Sequence, residues 1–538
     1  MTVRTSVLGG DSKSRGLLSG RRSRGVLIVW GITAVIGCFL LLFLQLLGLA
    51  ILLPIATVVA VMTLDAGTGS SPWRRVQDRQ RMKWRRRNGF DDFIPVDYLP
   101  PSVTAEDDKA TWNNYRDWPD GIDGLYWLQS AAGVPAVAYH APFGESHYLS
   151  VTFGVDGPIR GLHGDAYVSA AQQRFGELMA SWGASQKLVT GIQTVTRVLP
   201  TDSAFHEMWL QGELDETAPP DLQDDYGALL DDLAASGFVQ RHFVVIRWDA
   251  DARFRTAAAR RGTGMTGYLA VINAQLPAVQ RRLIDAGYHQ VQPLSGPRLA
   301  AVLRHQQHPG WAIDRASDVT TSTCWLPSHD EWSATEIVAA APDPTDPSAL
   351  LEKSSWYHRT ARIPVQAIES RELDGLWMTP MLTGLDEAIV RTLSMHVQLV
   401  PSREAKVRAR KDATSDNAEI IAQQRRGQLI DDSTELALSS ANRRYTDLRD
   451  GAGHHGALWA GFLTISTRTL DELSEASSHL EEAADAAGIS RLDWLDTLQS
   501  AAQATTWPLG RGMATPKRST TDKALRRVGA GSTKEGLS

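Results

Sequence analysis

The apolar stretch at residues 26–64 constrains this chain more than any other feature. Its thirty-nine residues include no charged side chain. At about 1.5 Å per residue, one helix of that length is nearly twice as long as the ~30 Å hydrocarbon core of a bilayer. We therefore expect two shorter helices, with a turn near residues 45–48.

Clusters of basic residues flank this stretch on both sides. Lys and Arg accumulate on the cytoplasmic side of short membrane loops, so basic flanks at both ends place both ends in the cytoplasm. The sequence thus predicts a two-helix transmembrane hairpin over 26–64. It also predicts a multi-pass protein of the inner (plasma) membrane whose N-terminus and C-terminal bulk are cytoplasmic. A cleaved signal peptide is the alternative, but its apolar core normally has only about 7–15 residues.

The second basic cluster, WRRVQDRQRMKWRRR, follows at residues 73–87. Trp anchors among Arg and Lys are typical of a helix that lies in the membrane interface and contacts lipid headgroups. A solvated charged helix is the simpler alternative. The predicted membrane-interface residues are Trp73, Arg74, Arg75, Lys83, Trp84, Arg85, Arg86 and Arg87.

Charge is divided unevenly along the 538 residues. The net charge of the whole chain is −6, but residues 91–508 carry 34 basic and 56 acidic side chains, a net charge of −22. An acidic body repels the nucleic-acid backbone, so we expect no direct nucleic-acid binding. The two cysteines, Cys38 and Cys324, cannot form a disulfide framework, which suits a reducing compartment.

Alternating apolar patterns predict strands at 188–199, 238–248 and 457–467, and 3.6-residue periodicity predicts helices at 165–182 and before Gly287. The fold class is therefore α+β, and a split βαβ arrangement is one topology that fits this order.

Composition divides the chain into a basic N-terminus (1–25), the hairpin (26–64), a basic juxtamembrane helix with an acidic linker (65–122), a first α+β domain (123–310), a loop-rich linker (311–355), a second α+β domain with a long charged helix at 402–448 (356–511) and a disordered basic tail (512–538).

Motifs that carry chemistry are missing from the sequence. It contains no GxxxxGK[ST] phosphate loop, GxSxG or HExxH pattern. His454 and His455 are adjacent in a glycine-rich turn and make a poor metal site. We expect no catalytic residue, cofactor or metal, and the alternative is a membrane-tethered enzyme with a dispersed site that includes His140, His147 and His163.

The C-terminal half resembles a known family. The order WYHRTARIPV, RTLSMHVQLVPSREAKVRARKD, GAGHHGALWAGFLTISTRTLDEL and TWPLGRG, ending at residue 512, is similar to actinobacterial membrane proteins of integrative conjugative elements. Those proteins resemble the non-catalytic N-terminal region of the transfer ATPases of type IV secretion. The resemblance covers residues 20–512 and is closest over 350–512.

This resemblance implies a membrane-anchored, non-catalytic scaffold of a conjugation-type DNA-transfer or secretion apparatus. The implied partners are the lipid bilayer, a separate motor ATPase and other membrane subunits of the secretion complex, and an oligomer is compatible with this role. An inner-membrane component of a type VII secretion complex is the alternative assignment.

Overall fold

The computed structural model shows an α+β fold. The described residues are 6–8, 24–63, 72–98, 113–159, 163–184, 187–200, 209–210, 219–236, 238–311, 313, 319–330, 335–338, 353–369, 371–373, 376–383, 389–402, 404–407, 409–410, 414, 442, 446–448, 455–496 and 498–513. Most of the predicted basic N-terminus, long charged helix and basic tail lie outside these ranges.

Helices and strands alternate along much of the described chain. The helices are α1 (Arg24–Thr63), α2 (Pro72–Arg87), α3 (Asp165–Gly183), α4 (Pro220–Ser236), α5 (Ala252–Ala259), α6 (Gly264–Asp285), α7 (Gly296–Gln307), α8 (Thr379–Thr383), α9 (Leu470–Ala486) and α10 (Gln499–Gln503). The strands are β1 (Ser6–Leu8), β2 (Asp92–Pro95), β3 (Tyr115–Arg116), β4 (Leu125–Gln129), β5 (Val137–His140), β6 (Tyr148–Asp156), β7 (Gly191–Pro200), β8 (Phe238–Asp249), β9 (His289–Pro293), β10 (Ser328–His329), β11 (Thr335–Val338), β12 (Lys353–Ile363), β13 (Arg371–Leu373), β14 (Val390–Val400), β15 (Gly456–Thr467) and β16 (Asp493–Trp494).

The apolar N-terminal stretch forms one continuous helix. α1 passes through residues 45–48 without a turn and contains Pro54. Within the described ranges, no helix has the combination of length and apolar content that a membrane crossing requires. The predicted transmembrane hairpin and the predicted multi-pass plasma-membrane localisation are therefore wrong. The expected turn rests only on the thickness of a bilayer. The segment QLLG at residues 45–48 contains a single Gly, and one Gly destabilises a helix by only about 1 kcal/mol, so the helix continues through this segment.

One mixed sheet joins the two predicted domains. Its strand order is β3-β2-β10-β11-β12-β15-β14-β7-β8-β6-β5-β4, with β9 also beside β6 and β16 also beside β12. At its centre β14 pairs antiparallel with β7, from Arg391 opposite Val198 to Gln398 opposite Gly191. Residues 123–310 and 356–511 thus contribute to the same sheet.

The sheet contains the same split βαβ topology twice. The first unit has the order β9-β6-β8-β7 and the second has the order β16-β12-β15-β14. In each unit the first strand also pairs with the short strand that precedes it, β5 with β6 and β11 with β12. The split βαβ arrangement considered from the sequence is confirmed, and the duplication is an additional finding.

An approximate two-fold rotation relates the two units, because the equivalent strands β7 and β14 pair antiparallel. The equivalence extends to the ends of their elements. β7 ends at Pro200 and β14 is followed by Pro401. The helix before each last strand is followed by a glycine in the left-handed region, Gly287 at φ 95° and Gly488 at φ 78°. Glycine is favoured there because a Cβ atom makes a positive φ costly.

Most buried apolar residues of both units lie on one face of the sheet, which helices cover, while Val195 and Phe243 pack with Val302 of α7 on the other face. In the first unit Phe153, Val244 and Ile246 form a core with residues of α3 and α6. In the second unit, Leu463 and Ile465 pack with residues of α9. α9 begins with a capping box between Thr469 and Glu472, which satisfies backbone donors at its N-terminus. Its buried residues recur at helical spacing, at Leu473, Ala476, Leu480, Ala483 and Ala484.

Candidate docking surfaces

The opposite face of the sheet is polar and nevertheless buried. Polar side chains that alternate along a strand normally face water. Here a layer consisting of α7, α10 and residues 504–513 covers them, and we call this layer the cover and residues 504–513 the strap. The buried polar side chains are His140, Ser150, Thr152, Gln193, Arg197, His358, Thr360, Thr392, Ser394, His396, Thr464 and Ser466.

Gln193, near the start of β7, holds the strap at two points and also bonds to β14. Its Nε2 donates to the backbone oxygen of Trp507 and to Oγ of Ser394, both at 2.9 Å. Its Oε1 accepts a hydrogen bond from the backbone nitrogen of Gly510 at 2.7 Å. In the same region Thr152 Oγ1 donates to the backbone oxygen of Pro508 at 2.6 Å. The segment TWPLGRG is thus hydrogen-bonded to strands of the first unit and lies beside the second.

Two buried histidines connect the second unit to the cover. Nε2 of His396 donates to the backbone oxygen of Thr505 at 2.8 Å, and Nε2 of His358 donates to that of Gln307 at 2.9 Å. A carbonyl oxygen can only accept, so the proton of each ring is on Nε2. Burial lowers the pKa of His358 to about 3 and that of His396 to about 4. Both rings are therefore neutral at physiological pH and act as fixed donors.

The end of the strap is held by an ion pair. Arg511 donates from Nη1 and Nη2 to both carboxylate oxygens of Glu145, at 2.8 and 3.0 Å. Its Nε donates to the backbone oxygen of Gly121 at 2.8 Å. A two-pronged contact of this kind fixes direction as well as distance. The last residues of TWPLGRG are thus part of the folded body.

The three histidines of the alternative enzymatic reading do not form one site. His140 is buried beneath the cover and bonds through Nε2 to Oγ of Ser150 at 3.0 Å. His147 bonds through Nδ1 to the hydroxyl of Tyr139 at 2.6 Å, beside the core of the first unit. His163 stacks on Tyr167 at the start of α3, with ring centroids 4.1 Å apart. Each ring is engaged by a different neighbour.

The predicted membrane-interface residues lie on or beside the surface of α2, with one exception. Arg75, Lys83, Arg86 and Arg87 are exposed. Trp84 is 57% exposed and stacks on Phe90, and Trp73 is half-buried. The side chain of Arg74 lies outside the described part of the structure. Their assignment to lipid headgroups stays a prediction.

Arg85 is the exception, because its charge is used inside the fold. Its side chain contacts the carboxylate of Asp120, and its Nε donates to Oδ2 of Asp330 at 2.6 Å. Burial lowers the pKa of Arg85, but the charges of Asp120 and Asp330 outweigh burial and raise it. Ser500 of α10 donates to the other oxygen of Asp330 at 2.9 Å. Arg85 thus joins α2 to the cover rather than to lipid.

Two surface cavities flank the sheet. One of about 340 Å³ is lined by residues that include Asp97, Arg304, Trp311 and Trp325. The other, of about 280 Å³, lies where β7 and β14 meet and is lined by Pro200, Ile389, Val390, Trp356, Ser466, Thr467, Arg468, Glu472 and Glu475. Both combine aromatic walls with charges of both signs, which suits contact with protein side chains.

The remaining sequence-derived candidates lie only partly within the described residues. His454 and most of the charged segment 402–448 lie outside the described residues. His455 contacts the position that a Cβ of Gly183 would take. In the described part of the chain, no group of three or more His, Cys, Asp or Glu side chains is placed to hold a metal ion.

The chain matches no protein-family model and no curated protein.

The sequence did carry a signal for the cover, since TWPLGRG stands out at residues 506–512. It carried no signal that the polar face lies beneath it, because polar residues in alternation normally predict a solvated face.

Proposed function

We propose that this protein is a non-catalytic scaffold of a conjugation-type, type IV-like DNA-transfer or secretion apparatus, and that it docks a separate motor ATPase. The assignment to this apparatus rests on the resemblance over residues 350–512. The physical argument for a scaffold rests on the polar face of the sheet and its cover.

The observation that carries the proposal is the use of the buried polar side chains. Gln193, His358 and His396 are the kind of groups that an enzyme exposes to substrate, and here each is hydrogen-bonded to the backbone of the cover. Hydrogen bonds between these two layers fix the position of the cover on the sheet. The duplicated sheet and its cover therefore favour a rigid platform for partners over a reaction site.

The acidic body supports a protein partner for this platform. Residues 91–508 carry a net charge of −22, which disfavours nucleic acid as the direct ligand and favours a partner with a basic surface. The missing phosphate loop supports a division of labour in which a different chain hydrolyses ATP. The scaffold then positions the motor without performing chemistry.

The test is chemical cross-linking in native cells, followed by capture of the tagged full chain and mass spectrometry. We expect a conjugation-type ATPase joined by cross-links to residues 350–512. Cross-links to a type VII motor, or no ATPase at all, would contradict the proposal. The purified chain is also assayed for ATP hydrolysis, and a measurable rate would overturn the non-catalytic assignment.

A further inference from the structure

Helix α4 presents an apolar stripe that is exposed to solvent. Leu222, Tyr226 and Leu229 recur at helical spacing on this helix, so they lie on one side of it. Leu222 is 63% exposed and Leu229 is 51% exposed. α4 lies between β7 and β8 in the chain. A stripe of this kind at a protein surface marks a contact with another helix.

The sequence around this stripe is acidic. The connection at residues 201–237 contains ten Asp or Glu residues and no Lys or Arg. Asp221, Asp224 and Asp225 of α4 are exposed beside Leu222 and Tyr226. At about 100° per residue, Asp221 and Asp225 fall on one flank of this stripe. An apolar stripe with carboxylates beside it fits a helix of opposite character, with apolar residues along one line and basic residues beside them.

Helix α2 of the same chain has that character. It contains eight Lys or Arg residues and one Asp. Trp73, Val76 and Trp84 are spaced at i, i+3 and i+11, and Val76 and Trp84 are 37% and 57% exposed. Arg79, Arg81, Lys83 and Arg87 are exposed around them. α2 has sixteen residues and α4 has seventeen, so the two helices match in length, at about 25 Å.

We propose that α4 of one copy docks against α2 of a second copy of this chain. An antiparallel arrangement places the basic C-terminal half of α2 beside the acidic N-terminal half of α4 and also opposes the helix dipoles. Every copy carries both helices. Two copies therefore form a closed dimer with two such contacts, or successive copies associate head to tail. The contact is small and strongly charged, so the association is weak and sensitive to salt. This self-association does not depend on the docking of the proposed motor ATPase.

Sedimentation velocity of the full chain in a mild non-ionic detergent tests the proposal. The detergent masks the exposed apolar residues of α1 without screening charge pairs. We expect association that weakens at least tenfold when the salt concentration is raised from about 50 mM to about 500 mM. A chain that stays monomeric at about 100 μM in low salt overturns the proposal.

Two variants and their mixture identify the helices. The first is Asp221→Asn with Asp224→Asn and Asp225→Asn, and the second is Arg79→Gln with Arg81→Gln, Lys83→Gln and Arg87→Gln. Each variant alone loses association at least tenfold. Mixed in equal amounts they associate again, because the first keeps its basic α2 and the second keeps its acidic α4.

The matched control removes three exposed carboxylates from another helix, with Glu475→Gln, Glu482→Gln and Asp485→Asn on α9. It should associate like the unaltered chain. A second control replaces Leu222 and Leu229 with Ser, which leaves the charge intact and should still weaken the contact. Association that survives both charge variants, loss of association in the α9 control, or no recovery in the mixture shows that α2 and α4 are not the contacting helices.

Discussion

Nη1 of Arg197 donates to Nδ1 of His305 at 2.6 Å, and both side chains are buried between the sheet and the cover. Because a guanidinium group has only donors, Nδ1 of His305 must accept, and the ring is neutral. Burial lowers the pKa of Arg197 to about 9. Burial, followed by the charge of Arg197, also lowers the pKa of His305 well below its usual value.

The Arg197–His305 contact predicts an order of stabilities. His305→Ala leaves a buried cation with one fewer acceptor and should lower the free energy of unfolding by about 3–5 kcal/mol. Arg197→Met removes the buried charge itself and keeps most of the volume, so it should cost less, about 2 kcal/mol or under. Urea denaturation of both variants measures the order. A larger loss in Arg197→Met than in His305→Ala contradicts this account.

The buried histidines predict that stability falls in mild acid. The pKa of His358 is about 3 and that of His396 about 4 in the folded chain, whereas an unfolded histidine titrates near 6.5. Below that pH the unfolded chain binds more protons than the folded chain, so stability present above pH 6.5 is lost as the pH falls. The slope is about 1.4 kcal/mol per pH unit for each such histidine.

Denaturation midpoints between pH 7 and about pH 4.5 measure this slope. His396→Gln should reduce the slope by about 1.4 kcal/mol per pH unit, which is the contribution of one histidine. Gln still donates to the backbone oxygen of Thr505 but does not titrate. The control Gln292→Asn changes an exposed residue that does not titrate and should leave the slope unchanged. Equal slopes in all three proteins contradict the assignment.

Arg85 and Arg87 should differ sharply although they are two residues apart on the same helix. Arg85→Met leaves the buried carboxylate of Asp330 without its ion-pair partner and should cost about 3–5 kcal/mol. Arg87 is exposed, so Arg87→Gln should change stability by less than about 0.5 kcal/mol. Thermal and urea unfolding compare the two. Similar values for both variants would show that Arg85 is not part of the fold.

Two glycines predict opposite signs for the same substitution. Gly287 follows α6 at φ 95°, so Gly287→Ala should destabilise the protein by about 1 kcal/mol. Gly176 lies within α3, and a Cβ built there meets no atom within 4 Å. Gly176→Ala should therefore stabilise the protein by about 0.5–1 kcal/mol. Differential scanning calorimetry of the pair resolves the signs.

Several elements follow directly from local sequence patterns. The predicted strands 188–199 and 238–248 correspond to β7 and β8, and the predicted helix 165–182 corresponds to α3. Their apolar periodicity is set by burial on one face, which the sequence records. Proline normally kinks or breaks a helix, but α6 includes Pro277 and continues as one helix over Gly264–Asp285.

The duplication and the buried polar face could not be predicted from the same patterns. The two units share recognisable residues only at a few points, such as Pro200 with Pro401 and Gly287 with Gly488, and their connections differ in length. Gln193 and Arg197 alternate with apolar neighbours as in a solvated strand. Only the contacts made by distant residues, such as Trp507, show that this face is covered.

The pairing of β7 with β14 changes what mutation can do to this sheet. In a symmetric dimer of one unit, the strand at the centre would pair with its own copy, and any substitution would appear on both sides of the contact at once. In this chain Thr194 lies opposite Met395, and Val195 lies opposite Ser394. Each side can therefore change alone. The loops of one unit can change while the other unit keeps its side of the β7–β14 contact. A single gene can therefore evolve an asymmetry that a homodimer cannot.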